Sequence, residues 1–232
     1  MSDLKPPRRP RADAVRNREH IVRAAIDLLV EEGSTVALET IARRAGVGIA
    51  TLYRHFPDRT VLLRQVAVDM LTQSARSATM ALAEEPDAFT ALVRHLHASI
   101  DLRTSVVVPM LAQSVPDDDE LAAVRAESDR SLEMLVKAAH DEGSLRPDVG
   151  AGDICLLMIR VARPLPLPFD AEANREMSHR HAEILLDGLL QFLAVEPLPG
   201  HPLELAELDH MLGGVRPVPA AGNGGRSRTN GS

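Results

Sequence analysis

The sequence predicts an all-α fold with a helix-turn-helix near its N-terminus. Apolar residues make up 45% of the 232 residues, yet aromatic residues make up only 2%, with one tyrosine and no tryptophan. A core of Ala, Leu, Val and Ile favours closely packed helices over sheet. Apolar residues also recur at helical spacing along the chain, and no stretch has the alternation typical of a strand.

The first twelve residues form a basic, proline-rich arm. Lys5, Arg8, Arg9 and Arg11 stand between prolines, so residues 1–12 are expected to be extended and disordered. Two interpretations stay open at this point: a solvated tail, or an arm that touches the backbone or the minor groove of DNA.

Residues 13–32 are predicted to form the first helix. Asp13 is a suitable N-cap and Gly33 a suitable stop. Apolar side chains at helical spacing give this helix one inner face for packing. They are Ile21, Ala25, Leu28 and Leu29.

Residues 38–56, LETIARRAGVGIATLYRHF, are predicted to form a helix, a tight turn and a second helix. Ile41, Ala42 and Ala45 fall at helical spacing, so the first helix has one apolar face. Gly46 follows where a helix C-cap needs a positive φ, which glycine adopts without a Cβ clash.

The second helix of this motif has the dimensions and the chemistry of a DNA-reading element. It is predicted at 49–55, with Leu52 and Phe56 one turn apart on its inner side. Seven residues span roughly 10 Å, which fits a DNA major groove. Its outward side offers a hydroxyl, a phenol, a cation and an imidazole rather than acids. They belong to Thr51, Tyr53, Arg54 and His55.

The run Ile-Ala-x-x-Ala-Gly-Val-Gly-x-Ala-Thr-Leu-Tyr-Arg-His-Phe, which begins at Ile41, resembles the helix-turn-helix of the TetR family of transcriptional regulators. The likeness is gap-free in the motif, is close over roughly the first 70 residues and covers the body only in outline. It implies a three-helix DNA-binding head, a helical-bundle body for effector binding and dimerisation, and a homodimer on a palindromic operator in double-stranded DNA.

The motif and the resemblance together give a set of candidate DNA-binding residues. Thr51 is expected to approach base edges, whereas Tyr53, Arg54 and His55 hold phosphates, which position the protein without specifying sequence. The family often places a phosphate-contacting cation where Arg59 stands. The full set is Thr40, Arg44, Gly48, Ile49, Ala50, Thr51, Tyr53, Arg54, His55 and Arg59.

One position departs from the family pattern. The helix before the turn is expected to begin with a capping hydroxyl or Asp, but the residue there is Ala37. An alanine cap costs about 0.5–2 kcal/mol relative to a good N-cap. Whether Thr35 or Thr40 substitutes is left open.

The remaining chain is predicted to be helical to residue 212. Asp58 is favourably placed near the start of a long connecting helix, and Pro109 is expected to kink or divide a later one. The predicted helices cover 59–84, 89–100, 106–115, 117–143, 154–162, 171–194 and 203–212. We divide the chain into a disordered basic arm (1–12), a DNA-binding head (13–60), an effector-binding and dimerisation body (61–200), and a short helix with a disordered tail (201–232).

The helix predicted at 171–194 is expected to lie at the centre of the homodimer interface. Its polar residues form one narrow stripe, so a broad apolar arc covers most of the remaining circumference. A surface helix needs only about a 100° apolar stripe to bury one face, so a second surface must cover the rest. Gly188 costs roughly 1 kcal/mol in a helix interior and suits the close approach of a partner backbone. A helix buried centrally within one subunit is the alternative. The candidate interface residues are Leu185, Leu186, Gly188, Leu189 and Phe192.

Charge and composition place the protein in the cytoplasm and its attraction for phosphate in the head. The net charge is −7, but residues 1–76 hold 13 cationic and 9 acidic side chains. This asymmetry places a basic head on an acidic body. A single cysteine, Cys155, suits a reducing compartment, and neither a signal peptide nor a membrane span is evident.

No constellation typical of an enzyme or of a metal site is apparent, and no cofactor is expected. Phosphate loops, nucleophile elbows and cysteine–zinc spacings are missing from the sequence. His95-x-His97 and His179-x-His181 resemble metal pairs, but residues two apart on a helix point about 200° apart. Cys155 is interpreted as an inert core thiol.

The body is expected to hold a pocket for a small apolar effector, lined by flexible apolar side chains. The candidates are Leu96, Met110, Leu111, Met134 and Met158. Three hypotheses compete: a DNA-binding repressor released by such an effector, a DNA-binding regulator whose body binds a protein or no ligand, and an all-helical enzyme with a coincidental motif.

Overall fold

The structure is a computed structural model that describes residues 10–112, 114–116, 118–164, 170–190 and 196–213. These residues form ten α-helices and no strand, which confirms the predicted all-α class. None of the described helices combines the length and the apolar character that a bilayer crossing demands. The helices are α1 Pro10–Glu32, α2 Leu38–Arg44, α3 Ile49–His55, α4 Arg59–Glu84, α5 Ala88–Asp101, α6 Thr104–Leu111, α7 Asp119–Asp141, α8 Ala151–Ala162, α9 Ala171–Leu189 and α10 Leu205–Gly213.

The first three helices pack around a small apolar core. Ile21 and Leu28 of α1, Ile41 of α2, Leu52 of α3 and Phe56 just beyond it are buried to 1% exposure or less. Each such side chain contributes about 1.5–3 kcal/mol on burial. The apolar stripes of the three helices therefore hold the head together.

Helix α4 belongs to the head and to the body at once. Leu62 and Met70, from its first half, pack in the same core cluster as the head, together with Val107 and Leu111 of α6. Ala81, near its end, packs with α5 and α7–α10 in a second cluster. The domain boundary predicted after residue 60 thus falls within the first turn of α4, and the apolar core runs on across it.

Four helices begin with an aspartate that caps the first turn. In each case a carboxylate oxygen accepts a hydrogen bond from the backbone N–H three residues on, at 2.7–2.9 Å. Such a cap satisfies one of the amide groups that a helix start leaves without a partner. The caps are Asp58 of α4, Asp87 of α5, Asp118 of α7 and Asp170 of α9.

Several predicted boundaries need correction. Helix α1 begins at Pro10 rather than Asp13, because the fixed φ of proline suits the first helical position. Residues 10–12 are therefore helical, and the rest of the predicted arm lies outside the described residues. Pro109 lies inside α6 and does not divide it, although the helix ends two residues later. Helix α8 begins at Ala151, earlier than predicted.

The end of α9 was predicted too late, because a tertiary contact stops the helix at Leu189. Leu190 adopts extended backbone and forms an isolated antiparallel bridge with Leu145. The backbone N–H of Arg146 donates to the Leu189 carbonyl at 3.0 Å, and its guanidinium donates to the Gly188 carbonyl at 3.4 Å. The predicted continuation at 191–194, with Phe192, lies outside the described residues.

Candidate nucleic-acid interface and body cavity

The turn between α2 and α3 is closed by backbone hydrogen bonds around one glycine. Gly46 has φ +69°, and its N–H donates to the Arg43 carbonyl at 3.2 Å. The N–H of Val47 donates to the Ala42 carbonyl at 3.0 Å, and the Val47 side chain packs against the head core. A Cβ at Gly46 would meet no atom within 4 Å, so the positive φ alone requires glycine.

Helix α3 presents an exposed face without an acidic side chain. Gly48, Ala50 and Arg54 are exposed, as are Ile49 at 37% and Tyr53 at 45%. Ile49 and Tyr53 are four residues apart and therefore share one side of the helix. The face combines exposed apolar surface, a phenol and a cation, which suits contact with bases and phosphates.

Two further candidates on α3 are partly buried. Thr51 and His55 lie at the edge of the exposed face, and the Nε2 atom of His55 is buried without a hydrogen-bond partner. The structure thus brings seven candidates, from Gly48 to His55 with the exception of the core residue Leu52, onto one short helix and its cap.

Arg44, one of the two candidates on α2, is held by a partner that the sequence did not predict. Its guanidinium donates to both carboxylate oxygens of Glu31 on α1, at 3.1 and 2.7 Å. This hydrogen bonding raises the pKa of Arg44 and lowers the pKa of Glu31. Both side chains are about two-fifths exposed, so the pair is weak and can exchange with a phosphate. Thr40 and Arg43 lie beside it at a shallow cleft.

The structure places Arg59 differently from the predicted phosphate contact. The guanidinium of Arg59, the first residue of α4, donates to the backbone carbonyls of Ser34 and Val36. It is partly buried and ties the loop between α1 and α2 to the start of α4. In this structure Arg59 therefore holds two segments of the head together. Ala37 is the N-cap residue of α2 and makes no side-chain cap; the sequence had left open whether a threonine takes this role.

A cavity of about 140 Å³ lies in the body among α4–α8 and α10. The five predicted effector residues do not share it. Leu96 and Met158 line this cavity, whereas Met110 lines a separate depression beside α6. Leu111 is buried in the core that the head shares with α6. Met134 is 48% exposed and lines neither space.

Two polar side chains outside the predicted set line the same cavity. His95 of α5 is 4% exposed, and its Nδ1 has no hydrogen-bond partner. The Oγ1 of Thr104, the first residue of α6, is also buried and unpartnered. Burial lowers the pKa of His95 to about 4, so its imidazole is neutral at pH 7. The sequence did carry a signal for the burial of His95, because this residue falls on the apolar stripe of α5 between Leu92 and Ser99.

His97 of α5 and His179 of α9, one from each His-x-His pair, contact each other. The Nδ1 atoms of His97 and His179 lie 2.6 Å apart. The Nε2 of His97 lies 2.6 Å from Glu183, and that of His179 lies 3.0 Å from Asp101. Tertiary packing therefore joins members of different pairs, one from α5 and one from α9. In the part of the chain that the structure describes, no three such ligands are placed to hold a metal ion.

The predicted dimer residues divide between two sides of α9. Leu186 and Leu189 are buried within the subunit. Leu185 is partly buried, Gly188 is exposed with open space above it, and the neighbouring Ile184 is 60% exposed. Part of the broad apolar arc therefore packs inside the subunit, and part is left uncovered.

Two family models match the chain. The model of the bacterial regulatory proteins of the TetR family matches residues 21–66, which include the second half of α1, the whole of α2 and α3 and the start of α4. The model of the C-terminal domain of SbtR-like transcriptional regulators matches residues 85–191, from before α5 to just beyond α9.

Individual relatives match both the sequence and the fold. The HTH-type transcriptional repressor LfrR of Mycolicibacterium smegmatis is 32% identical over 138 residues, which are 58% of this chain and 71% of LfrR. The TetR transcription regulatory protein from Mycobacterium vanbaalenii has a crystal structure with a TM-score of 0.55 and 30% identity, covering 78% of this chain and 98% of that one. The structure of LfrR in complex with proflavine gives a TM-score of 0.54 at 25% identity, covering 74% and 96%.

Proposed function

We propose that this chain, which belongs to the TetR family of bacterial regulatory proteins, represses transcription as a homodimer and leaves its operator when a small apolar effector enters the body. It is a helix-turn-helix transcriptional regulator and not an enzyme, as its regulatory relatives indicate. The observation that carries the DNA-binding role is the exposed, acid-free face of α3.

In this proposal α3 enters the major groove of a palindromic operator. Thr51 and the exposed start of α3 approach base edges, while Tyr53, Arg54 and His55 contact phosphates. Arg44 joins them after exchanging Glu31 for a phosphate oxygen. Arg59 acts indirectly, because it fixes the loop that leads into α2.

The test of DNA binding is selection of bound fragments from a random duplex library, followed by titration at several salt concentrations. We expect a palindromic site, and a steep fall of affinity with salt because each phosphate contact releases counterions. Thr51→Ala should change the preferred sequence, whereas Tyr53→Phe should weaken binding to all sequences alike. A protein that shows no preference among duplexes at low salt would contradict the proposal.

The uncovered flank of α9 supports the homodimer. Ile184 and Gly188 are four residues apart, so both fall on the side of α9 that the subunit's own core leaves exposed. An interface there should bury roughly 1,200–2,000 Å² to be stable. It would set two heads at the spacing of operator half-sites, about 34–36 Å.

Ile184→Arg is the direct test of this interface. Because Ile184 is 60% exposed within the subunit, the substitution should spare the fold, give monomers and abolish operator binding. Met80→Arg is the matched control, since Met80 of α4 is 52% exposed on another surface. A variant at 184 that sediments as a dimer with unchanged DNA affinity would place the interface elsewhere.

Effector release is supported by the position of α6. Thr104 and Val108 line the body cavity, while Val107 and Leu111 of the same helix pack in the core of the head. A ligand that displaces α6 therefore moves a side of the head core, and DNA and ligand weaken each other by linkage. The alternative, a body that binds a protein or no ligand, predicts operator affinity independent of every small molecule tested.

A further inference from the structure

We propose that the body cavity selects a neutral, single-ring-sized ligand that carries a hydroxyl or similar polar group for His95 and Thr104. This inference rests on the proposed effector function and names the chemical class of the effector. It follows from the size of the cavity, from its polar atoms and from its charge.

The volume sets the size of the part of the ligand that the cavity holds. About 140 Å³ is close to the volume of an engineered cavity that binds benzene, and well below the roughly 300–1,000 Å³ of sites for drug-sized molecules. The walls are mainly apolar and contribute favourable burial of a ring or a short branched chain. They include Leu71, Leu96, Val108, Leu132, Ile154 and Met158.

The two unpartnered polar atoms favour a polar group on that ligand. The Nδ1 of His95 and the Oγ1 of Thr104 are buried in the lining and make no hydrogen bond within the protein. A buried polar group without a partner is unfavourable, and a hydroxyl on the ligand can supply one by donating to the imidazole nitrogen or by accepting from the threonine hydroxyl. The nearby Ser99 hydroxyl does not compete, because it donates to the His95 carbonyl at 3.0 Å.

The charge of the lining favours a neutral molecule. The charged side chains at the cavity are Arg125 and Asp129, which have opposite signs. His95 adds no charge at neutral pH, because its burial disfavours the imidazolium form. An ionic ligand would therefore lose its hydration without gaining an opposite charge beyond this balanced pair.

The decisive experiment compares phenol with toluene, which differ by a hydroxyl in place of a methyl group, on the full-length protein by calorimetry. We expect phenol to bind about tenfold tighter than toluene, the effect of one well-made buried hydrogen bond. Benzoate and benzylammonium, the matched anion and cation, should bind more weakly than phenol.

Variants locate the preference. Thr104→Val and His95→Leu remove the polar atoms with little change in volume, so each should reduce the phenol preference severalfold while toluene binds as well as before. Thr104→Ser should retain the preference. Thr79→Val is the control, because Thr79 lies on α4 outside the cavity lining and its hydroxyl donates to the Ala75 carbonyl.

Equal affinity for phenol and toluene would overturn the inference, and is expected if a resident water satisfies both atoms. A phenol preference that survives in both Thr104→Val and His95→Leu would also overturn it. So would binding of benzoate or benzylammonium that is tighter than binding of phenol. Operator affinity measured in parallel separates this inference from the proposed function. Phenol binding with the expected preference but no operator release supports the ligand class and refutes effector release. Release of the operator by an apolar ring, without any preference for a hydroxyl, supports effector release and refutes the ligand class.

Discussion

The head and the body of this protein use their polar side chains in opposite ways. In the head, the functional groups stand on the outside of α3 over a filled apolar core, and Arg44 and Arg59 have partners nearby. In the body, two polar atoms are buried beside an empty space and have no partner. The head has one such atom too, the Nε2 of His55, but it lies at the edge of the exposed face of α3 over a filled core, whereas the two atoms of the body line a cavity. This difference suits a fixed reading surface coupled to a responsive interior.

Truncation of a core residue should show this contrast most strongly. Phe56→Ala should destabilise the protein by about 3–5 kcal/mol and abolish operator binding, because it empties a fully packed site beneath α3. Met158→Ala, at the wall of an existing cavity, should fall at the low end of the roughly 2–5 kcal/mol range for methionine. Denaturant unfolding of both variants measures the difference, and equal costs would show that the two cores are packed alike.

The buried histidine of the body should make stability depend on pH. The pKa of His95 falls from 6.5 to about 4 on folding, so the unfolded chain takes up the proton first as the pH falls. The free energy of unfolding should therefore lose about 1.4 kcal/mol per unit below pH 6.5, roughly 3 kcal/mol in all, and level off below pH 4.

His95→Leu tests that assignment. The variant should lack this part of the pH dependence, while the contributions of other groups persist. Denaturant titrations between pH 7 and pH 4, on both proteins, measure the difference in slope. Parallel curves for the two proteins would mean that His95 is not buried in its neutral form.

The turn of the head should tolerate no side chain at its positive-φ glycine. Gly46→Ala should cost about 1–2 kcal/mol, since an L-residue is strained in the left-handed region even where space is free. Gly48→Ala is the matched control, because its φ is −69° and its surroundings are equally open. Unfolding midpoints should place the first variant clearly below the second; the reverse order would refute the role of φ.

The smallest effect should come from the ion pair between α1 and α2. Glu31→Gln should free Arg44 and tighten operator binding by about two- to fivefold, since exposed pairs contribute under about 1 kcal/mol. Glu32→Gln changes the net charge equally and lies at the same cleft, so it serves as the control. Fluorescence titration with the operator compares them, and identical gains would show a charge effect without release of Arg44.

The sequence by itself determined the helices, the turn and the family. Helical periodicity, capping aspartates and glycines at helix ends act within three or four residues, so α3 and the positive φ of Gly46 were predictable. The exposed face of α3 followed from the same periodicity, because Leu52 marks the inner side of the helix and the candidate DNA-binding residues fall on its other sides.

Only the tertiary structure decided which side chains have partners and where space remains. Contacts between residues distant in the chain decided several features of the structure. They include the pairs Glu31–Arg44 and His97–His179, the hydrogen bonds of Arg59 to the loop before α2, and the bond that Leu189 accepts at the end of α9. The body cavity likewise takes its walls from six helices, so the apolar character of Met134 and Leu111 could not reveal that neither of them faces it. Backbone preferences are local, whereas pairing, burial and empty volume depend on how separate helices meet.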